Sequence, residues 1–325
     1  MKACSAHFQA RLERLFRAIC RVGSVLTILL LCIITKANAQ SPIPAAIGPA
    51  ANNLGGFSPG WTFGTRFEGS TSSDGSIFDL GTAVGRNFSH HLAADLGIPL
   101  YFISTPSSTT QNNPGAVSGV GIGAVFTDLR LNYPDRFLNY ASAAHFTAPT
   151  GDTKKGLSTG HVTWDLANHF DHAFGDFSPF LNAGLGNTVL DTRYFRRPFI
   201  TFGYNAQFEG GLEYDPGNFS FSVAAYDVAP WGEQTVISRV FRCGKSTNCS
   251  AAGATHNRGS YRNTSISSGP ADLVRDNGFN ASVDFKPTSR LDLEFDFSRS
   301  VPLQLNIYSF GMGFDLSWLL RPQSR

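Results

Sequence analysis

The sequence predicts a closed antiparallel transmembrane β-barrel of about twelve strands with short periplasmic turns and longer extracellular loops. Three observations predict it: polar and apolar residues alternate one by one along most of the chain, the connections between the alternating stretches switch between short and long, and the first 39 residues have the make-up of a secretory leader.

The leader comes first. Met1 to Arg21 carries Lys2, Arg11, Arg14, Arg17 and Arg21 against Glu13, an apolar run follows from Val22 to Ile34, and Ala37-Asn38-Ala39 supplies a small-residue cleavage site before Gln40. The apolar run is shorter than the roughly 20 residues of a spanning helix. Residues 1–39 are therefore expected to be a signal peptide that is removed. No later apolar run is long enough for a helical span, so any membrane crossing falls to strands. Removal of the leader takes six of 26 basic and one of 24 acidic residues, turning the net charge from +2 to −3, which argues against a nucleic-acid partner. It also takes Cys4, Cys20 and Cys32. Cys243 and Cys249 remain, too few for a disulfide scaffold or a cysteine-ligated metal centre, and no metal or other cofactor is expected. The five residues between them can close a ring in an oxidising compartment, so a Cys243–Cys249 disulfide is expected.

The alternation is clearest near the end. From Leu291 to Ser298 one parity is Leu, Leu, Phe, Phe and the other is Asp, Glu, Asp, Ser; from Asn306 to Leu320, Tyr308, Phe310, Met312, Phe314, Leu316 and Trp318 share a face. A helix would scatter these acids through its apolar stripe, whereas a strand sorts them onto two faces. The same rule gives strands over 60–69, 76–86, 91–103, 117–130, 137–148, 159–170, 177–188, 199–214, 217–228, 277–287, 290–299 and 304–319. The odd-numbered connections, 229–276 above all, are mostly long and polar. The even ones are short and carry turn formers such as Asp215-Pro216-Gly217-Asn218. A sheet in hydrocarbon must close on itself, and it is sewn tightly at the periplasmic end and loosely outside. Trp61, Tyr140, Trp164, Tyr204, Tyr214, Tyr308 and Trp318 fall on the apolar parity, several near strand ends where interfacial girdles belong. The alternative, a soluble β-sandwich, needs the phenylalanine-rich face sealed against a second sheet. Residues 58–325 are thus read as the barrel, with 229–276 as its long extracellular loop. Residues 40–57, rich in Pro, Ala, Gly and Asn, are a periplasmic tail or a plug within the bore.

The polar parity should line the lumen: Arg66, Glu68, Asp79, Asp95, Asp165, Glu209, Glu213, Asp284, Asp292, Glu294, Asp296 and Asp315, together with His145, His161, His169 and Lys286. So acidic a wall disfavours anions if the groups face water, and serves stability alone if they pair with one another. Twelve strands give a narrow bore, between side-chain-filled small barrels and wide porins. Gly119, Gly121 and Gly123 share a parity; with no helix pattern after them they read as inner wall rather than a dinucleotide loop.

Other chemistry fails on spacing. Gly156-Leu157-Ser158-Thr159-Gly160 matches the nucleophile elbow, but it leads into a strand rather than a helix. His161, Asp165 and His169 share a strand face, yet residues four apart lie about 13 Å apart, too far for one ion. The outer-membrane phospholipase pattern needs His-x-Ser on a strand, and none occurs. In 229–275, six basic residues (Arg239, Arg242, Lys245, Arg258, Arg262, Arg275) face Glu233 and Asp272, so this loop is either a grip for lipopolysaccharide phosphates or an ordinary solvated loop.

Pro149-Thr150-Gly151-Asp152, the glycine-rich 156–160, Ser178-Pro179-Phe180, Gly184 to Thr188 and Thr192-Arg193-Tyr194 together resemble the bacterial outer-membrane barrel family named for a phenol-degradation pathway, over about residues 137–215. The resemblance implies a barrel of about this size that passes or binds hydrophobic, often aromatic, small molecules. Two features depart from the family pattern: the 229–276 insertion with its cysteine pair, and an ending in Trp-Leu-Leu-Arg-Pro-Gln-Ser-Arg rather than a terminal Phe. The expectation is a passive channel, not an enzyme, in the bacterial outer membrane, with lipid, lipopolysaccharide, the barrel-assembly machinery and a small-molecule solute as partners. A structural or adhesive protein acting through its loops is the alternative, and a lipid hydrolase the lesser one.

Overall fold

A computed structural model describes residues 57–72, 75–104, 118–135, 137–189, 199–238, 266–288 and 290–320. The expected signal peptide, nearly all of 40–57 and the Cys243–Cys249 pair lie outside the described residues. The strands in chain order are β1 (Gly60–Ser72), β2 (Gly75–Asn87), β3 (Leu92–Ser104), β4 (Ser118–Ile122), β5 (Phe126–Tyr133), β6 (Asn139–Thr147), β7 (Thr163–Asp171) and β8 (Phe177–Gly186). They continue with β9 (Phe199–Phe202), β10 (Asn205–Tyr214), β11 (Phe219–Pro230), β12 (Gln234–Ser238), β13 (Ile266–Gly269), β14 (Asp276–Thr288), β15 (Leu291–Ser300) and β16 (Leu305–Asp315).

Twelve of them form the wall, each antiparallel to the next. Antiparallel pairing of β1 with β16 closes the ring, for example Phe67 opposite Met312 and Glu68 opposite Gly311. The remaining four lie off the ring: β4 extends the wall beside the upper part of β3, and β9, β12 and β13 make a separate three-stranded sheet. No cylinder edge is left for hydrocarbon to strip of hydrogen bonds.

Burial follows the parity. Along β15, Asp292, Glu294, Asp296 and Ser298 are buried while Phe295 is exposed; along β16, Ser309, Gly311 and Gly313 are buried while Tyr308 and Phe310 are exposed. Leu96, Leu129, Leu166, Leu181, Phe208 and Val223 are likewise exposed on their own strands. A folded chain that presents leucines and phenylalanines outward and buries carboxylates is the inverse of a water-soluble sandwich, and a lipid surround is what makes it stable.

Aromatic rings band both ends. At the short-turn end, Tyr133 stacks with His91 (4.9 Å) and lies 6.4 Å from Tyr140, which meets Phe170 (5.2 Å); Phe177 stacks on Tyr214 (4.7 Å) and Phe219 on Phe285 (4.5 Å). Arg86 sits over the Trp61 ring at 5.5 Å. At the long-loop end, Trp164, Tyr204 and Trp231 form one run and Phe297 with Tyr308 another. Amphipathic rings at two levels are what two lipid–water interfaces select.

Three departures from strict alternation have physical causes. The predicted strand 117–130 is broken at 123–125, so the inward parity is odd in β4 and even in β5. The predicted strand 199–214 breaks at Gly203. There φ is +148°, and an added Cβ would lie 2.3 Å from the side chain of Gln234, which is fully buried and donates to the carbonyls of Tyr204 and Trp231. β9 therefore leaves the barrel wall to pair with β12. The last predicted strand, 304–319, stops at Asp315, whose carboxylate accepts the Ser317 backbone N–H (2.8 Å) and starts a short 3-10 turn, Ser317–Leu320. The predicted loop 229–276 also contains β12 and β13.

Candidate functional site

Among the described residues, charged side chains from many strands converge on the interior, and it is built unevenly. On the β14–β15–β16–β1 side it is packed. Arg66 of β1 lies along the wall across β16: its Nε donates to Glu68, one terminal nitrogen to Asp292 (3.1 Å) and the other to Glu294. Gly311, between Glu68 and Glu294 in the register, makes this crossing possible, since a Cβ there would meet the Arg66 Nη2 at 2.6 Å. One guanidinium thus holds three carboxylates, all buried. Asp79 lies opposite Glu68, Asp284 opposite Glu294, and Asp296 follows on β15; all three are buried on the same inner wall. Glu213 accepts the Ser220 hydroxyl. Asp315 is spent on the turn that ends β16.

The β5–β6–β10 side is looser. Partly exposed inward side chains gather there: Asp128 and Arg130 on β5, His145 on β6, Gln207 and Glu209 on β10, with Ala141 and Ala143 leaving room between them. Asp128 pairs with His145 Nδ1 at 2.6 Å, and Arg130 is held by Asp95. Glu209 accepts from Asn182 (2.7 Å) and from Asn280 (2.6 Å), bridging β8 and β14 over β11. Asp165 takes the Gln207 amide at 3.0 Å, and His169 is fixed between Asn182 (2.6 Å) and Asp171 (3.0 Å). Among the described residues, most of the partly exposed inward charge lies on this side.

At the long-loop end the inward side chains turn apolar. The connection 148–162 folds back over the mouth: Thr150 Oγ1 accepts the Val125 N–H (2.9 Å), Lys155 Nζ donates to the Val120 carbonyl (2.9 Å), and Leu157 is buried against Ile77 and Ile103, with Tyr101 beside them. Gly121 is the seat; a Cβ there would lie 2.4 Å from Leu157. The glycine stripe in β4 is therefore a hollow for a loop side chain. A second apolar group, Val189, Val228 and Val274, lines the opposite lip.

Against the expected residue set, Arg66, Glu68, Asp292 and Glu294 come together, Asp79, Asp284 and Asp296 surround them, Asp95 of β3 accepts from Thr62 of β1 (3.3 Å) across β2, and Asp165 and Glu209 lie on the far wall. Among all of these Glu209 is the one that is half-exposed. One placement is corrected. His161 precedes β7, is exposed, and stacks on Phe202 (4.5 Å), because the strand begins at Thr163, four residues after the predicted start. Lys286 is exposed at the short-turn end of β14, where the register with β15 slips between Phe285 and Thr288. Asp128 and Arg130 escaped the sequence reading through the parity change at 123–125; the glycine at its start was the available signal. Ser158, of the apparent elbow, is buried and accepts the Gly160 N–H (3.2 Å) within the inward loop. Among the described residues no three His, Cys, Asp or Glu groups are placed to share a metal ion.

No protein-family model and no curated protein sequence matches the chain. Among solved structures it is similar to the COG4313 outer membrane channel from Pseudomonas putida F1, at 15% identity and a TM-score of 0.52, over 83% of this chain and 100% of that one. More distant likenesses are the NanC porin (9% identity, TM-score 0.42, 78% of this chain and 100% of that one) and the KdgM porin in complex with disordered oligogalacturonate (8%, 0.42, 77% and 98%). At such identities the likeness speaks for architecture: the chain has the fold of an outer-membrane β-barrel.

Proposed function

We propose that the protein is a passive channel of a bacterial outer membrane, admitting or binding small molecules, and that these are hydrophobic or aromatic. The observation that carries the channel reading is the uneven interior. One flank is packed with ion pairs, while the β5–β6–β10 flank keeps partly exposed polar groups around small alanines, which is how a narrow barrel retains a wet path. Apolar lips at the long-loop mouth, Leu157 with Ile77 and Ile103 facing Val189 with Val228, support an apolar solute, as does the resemblance to the phenol-degradation barrel family. The similarity to an outer membrane channel supports the same reading.

Electrostatics gives the test. Arg66 is shared among three carboxylates and Arg130 is held by Asp95, so the wall remains net acidic and should favour cations. In planar bilayers across a salt gradient, the reversal potential should show cation preference. Glu209→Gln together with Asp128→Asn should reduce the permeability ratio by about two- to five-fold. Anion preference in the unaltered protein would overturn the acidic-path reading, and a barrel sealed under every solute tried would overturn the channel itself.

A further inference from the structure

The β15–β16 hairpin closes tightly at the long-loop end, with 301–304 joining its strands, and lipid therefore comes close to the turn. Val301 and Leu303 in the turn are exposed, as are Phe279 and Tyr308 below it on the outward face. Among them stands Arg299, on the same outward parity as Phe295 and Phe297, opposite Phe279 of β14 and Asn306 of β16. A cation is costly deep in hydrocarbon, so an arginine on this parity near a strand end belongs at the headgroup level. Its guanidinium is held. One terminal nitrogen donates to Asn306 Oδ1 (2.8 Å) and the other to Gln304 Oε1 (2.7 Å). Gln304 is fixed in turn, its Nε2 donating to the Val301 carbonyl (2.9 Å), and at φ +52° it has the one left-handed backbone among the described non-glycine residues. Both acceptors are neutral amides, and among the described residues no carboxylate pairs with Arg299. The fork is ordered while its charge stays uncancelled.

We propose that Arg299, clamped by Asn306 and Gln304 above the Phe279–Phe297–Tyr308 rings, is a binding site for lipid A, the phosphorylated glycolipid anchor of lipopolysaccharide. The long loops face the exterior, so the leaflet around this rim is the outer one. A lipid A phosphate takes the open side of the fork, where a charge-assisted bond meets no competing carboxylate. The three rings run on below it, with centroids 6.0 and 5.3 Å apart, across β14, β15 and β16, about 10 Å of wall at the usual strand spacing. Such a strip suits an anchor that carries several acyl chains under one phosphorylated head. Arg86, at the short-turn end, is the contrast. It also faces outward, opposite Trp61, but its guanidinium lies over the rings of Trp61 and Phe88 (5.5 and 5.8 Å), and it faces the inner leaflet.

The site needs the barrel in its membrane but not an open bore, so its test is independent of conductance. The whole protein is placed in phosphatidylcholine nanodiscs and titrated with lipid A, with lipid A stripped of its phosphates, and with phosphatidylglycerol. Lipid A should bind the unaltered protein most tightly. Arg299→Gln should weaken that binding by about five- to tenfold, the loss of one charge-assisted contact, and should leave binding of the stripped lipid unchanged. Arg299→Lys should fall between the two, since it keeps the charge but cannot span both amides. Arg86→Gln should bind lipid A as the unaltered protein does. Heat-modifiable migration on gels checks that each variant is a folded barrel. Equal lipid A affinity in Arg299→Gln and the unaltered protein would overturn the site. So would an equal loss in Arg86→Gln, which would mean attraction by charge at large, and so would phosphatidylglycerol binding as tightly and losing as much, which would make the occupant an ordinary phospholipid.

Discussion

Replacing Arg66 with methionine is expected to destabilise the barrel by about 3–5 kcal/mol, the cost of leaving buried charges without their counter-ion. Methionine keeps most of the aliphatic length but takes the shared guanidinium from Glu68, Asp292 and Glu294, all of them buried on the same flank. Removing a partner from such a cluster does more harm than the cluster ever contributed, because three carboxylates must then be hydrated in place or take up protons. Arg66→Lys should recover only part of the loss: an ammonium presents a point charge, whereas the guanidinium fork reaches acids on β1 and β15 at once. Urea titration of the folded barrel in lipid vesicles, followed by the gel shift between folded and unfolded forms, measures both variants. Unaltered midpoints in both would mean that the four groups do not act as a unit.

Leu157→Ala is expected to release the inward-folded loop, at about 2–5 kcal/mol of docking free energy for a buried leucine cut back to alanine. Leu157 is the loop's sole contribution to the buried apolar group with Ile77 and Ile103 among the described residues, while its other ties include single hydrogen bonds such as those of Thr150 with the Val125 N–H and Lys155 with the Val120 carbonyl. A neutral bond of this kind contributes about 0.5–1.5 kcal/mol net and one from an ammonium about 1.5–3 kcal/mol, so the buried leucine is the largest single tie. Lys154 and Lys155 sit in the 3-10 turn Thr153–Lys155, capped by the Asp152 carboxylate, and they report the opening directly. Trypsin cleavage after these lysines should quicken by at least about tenfold in the variant, because cleavage follows the population of the opened segment. Equal rates would show that the loop is held by something other than Leu157. Gly121→Val approaches the same seat from the wall side and should act in the same direction.

Legibility in the sequence differed from element to element. β15 could be read outright: Asp292, Glu294 and Asp296 alternate with Leu293, Phe295 and Phe297, and both faces lie where the alternation puts them. β4 and β5 could not, because one irregular stretch at 123–125 reverses the parity, and Asp128 and Arg130, which face the wet flank, were thereby hidden. The kink at Gly203 depends on Gln234, thirty-one residues away, and no local pattern announces it. His161 was misplaced at a strand end, where alternation continues for a residue or two beyond the last ladder hydrogen bond.

Side-chain parity is a property of consecutive residues, so the sequence by itself determined that there is a wall, which of its faces meets lipid, and that it must close. Which acids share Arg66, which flank is more loosely packed and which loop side chain fills the glycine hollow are settled by register and by the return of distant segments. The Arg66–Asp292 pair joins residues 226 positions apart. Such a meeting depends on how the twelve strands align around the ring, a degree of freedom that one-by-one alternation leaves open to any shift of two residues.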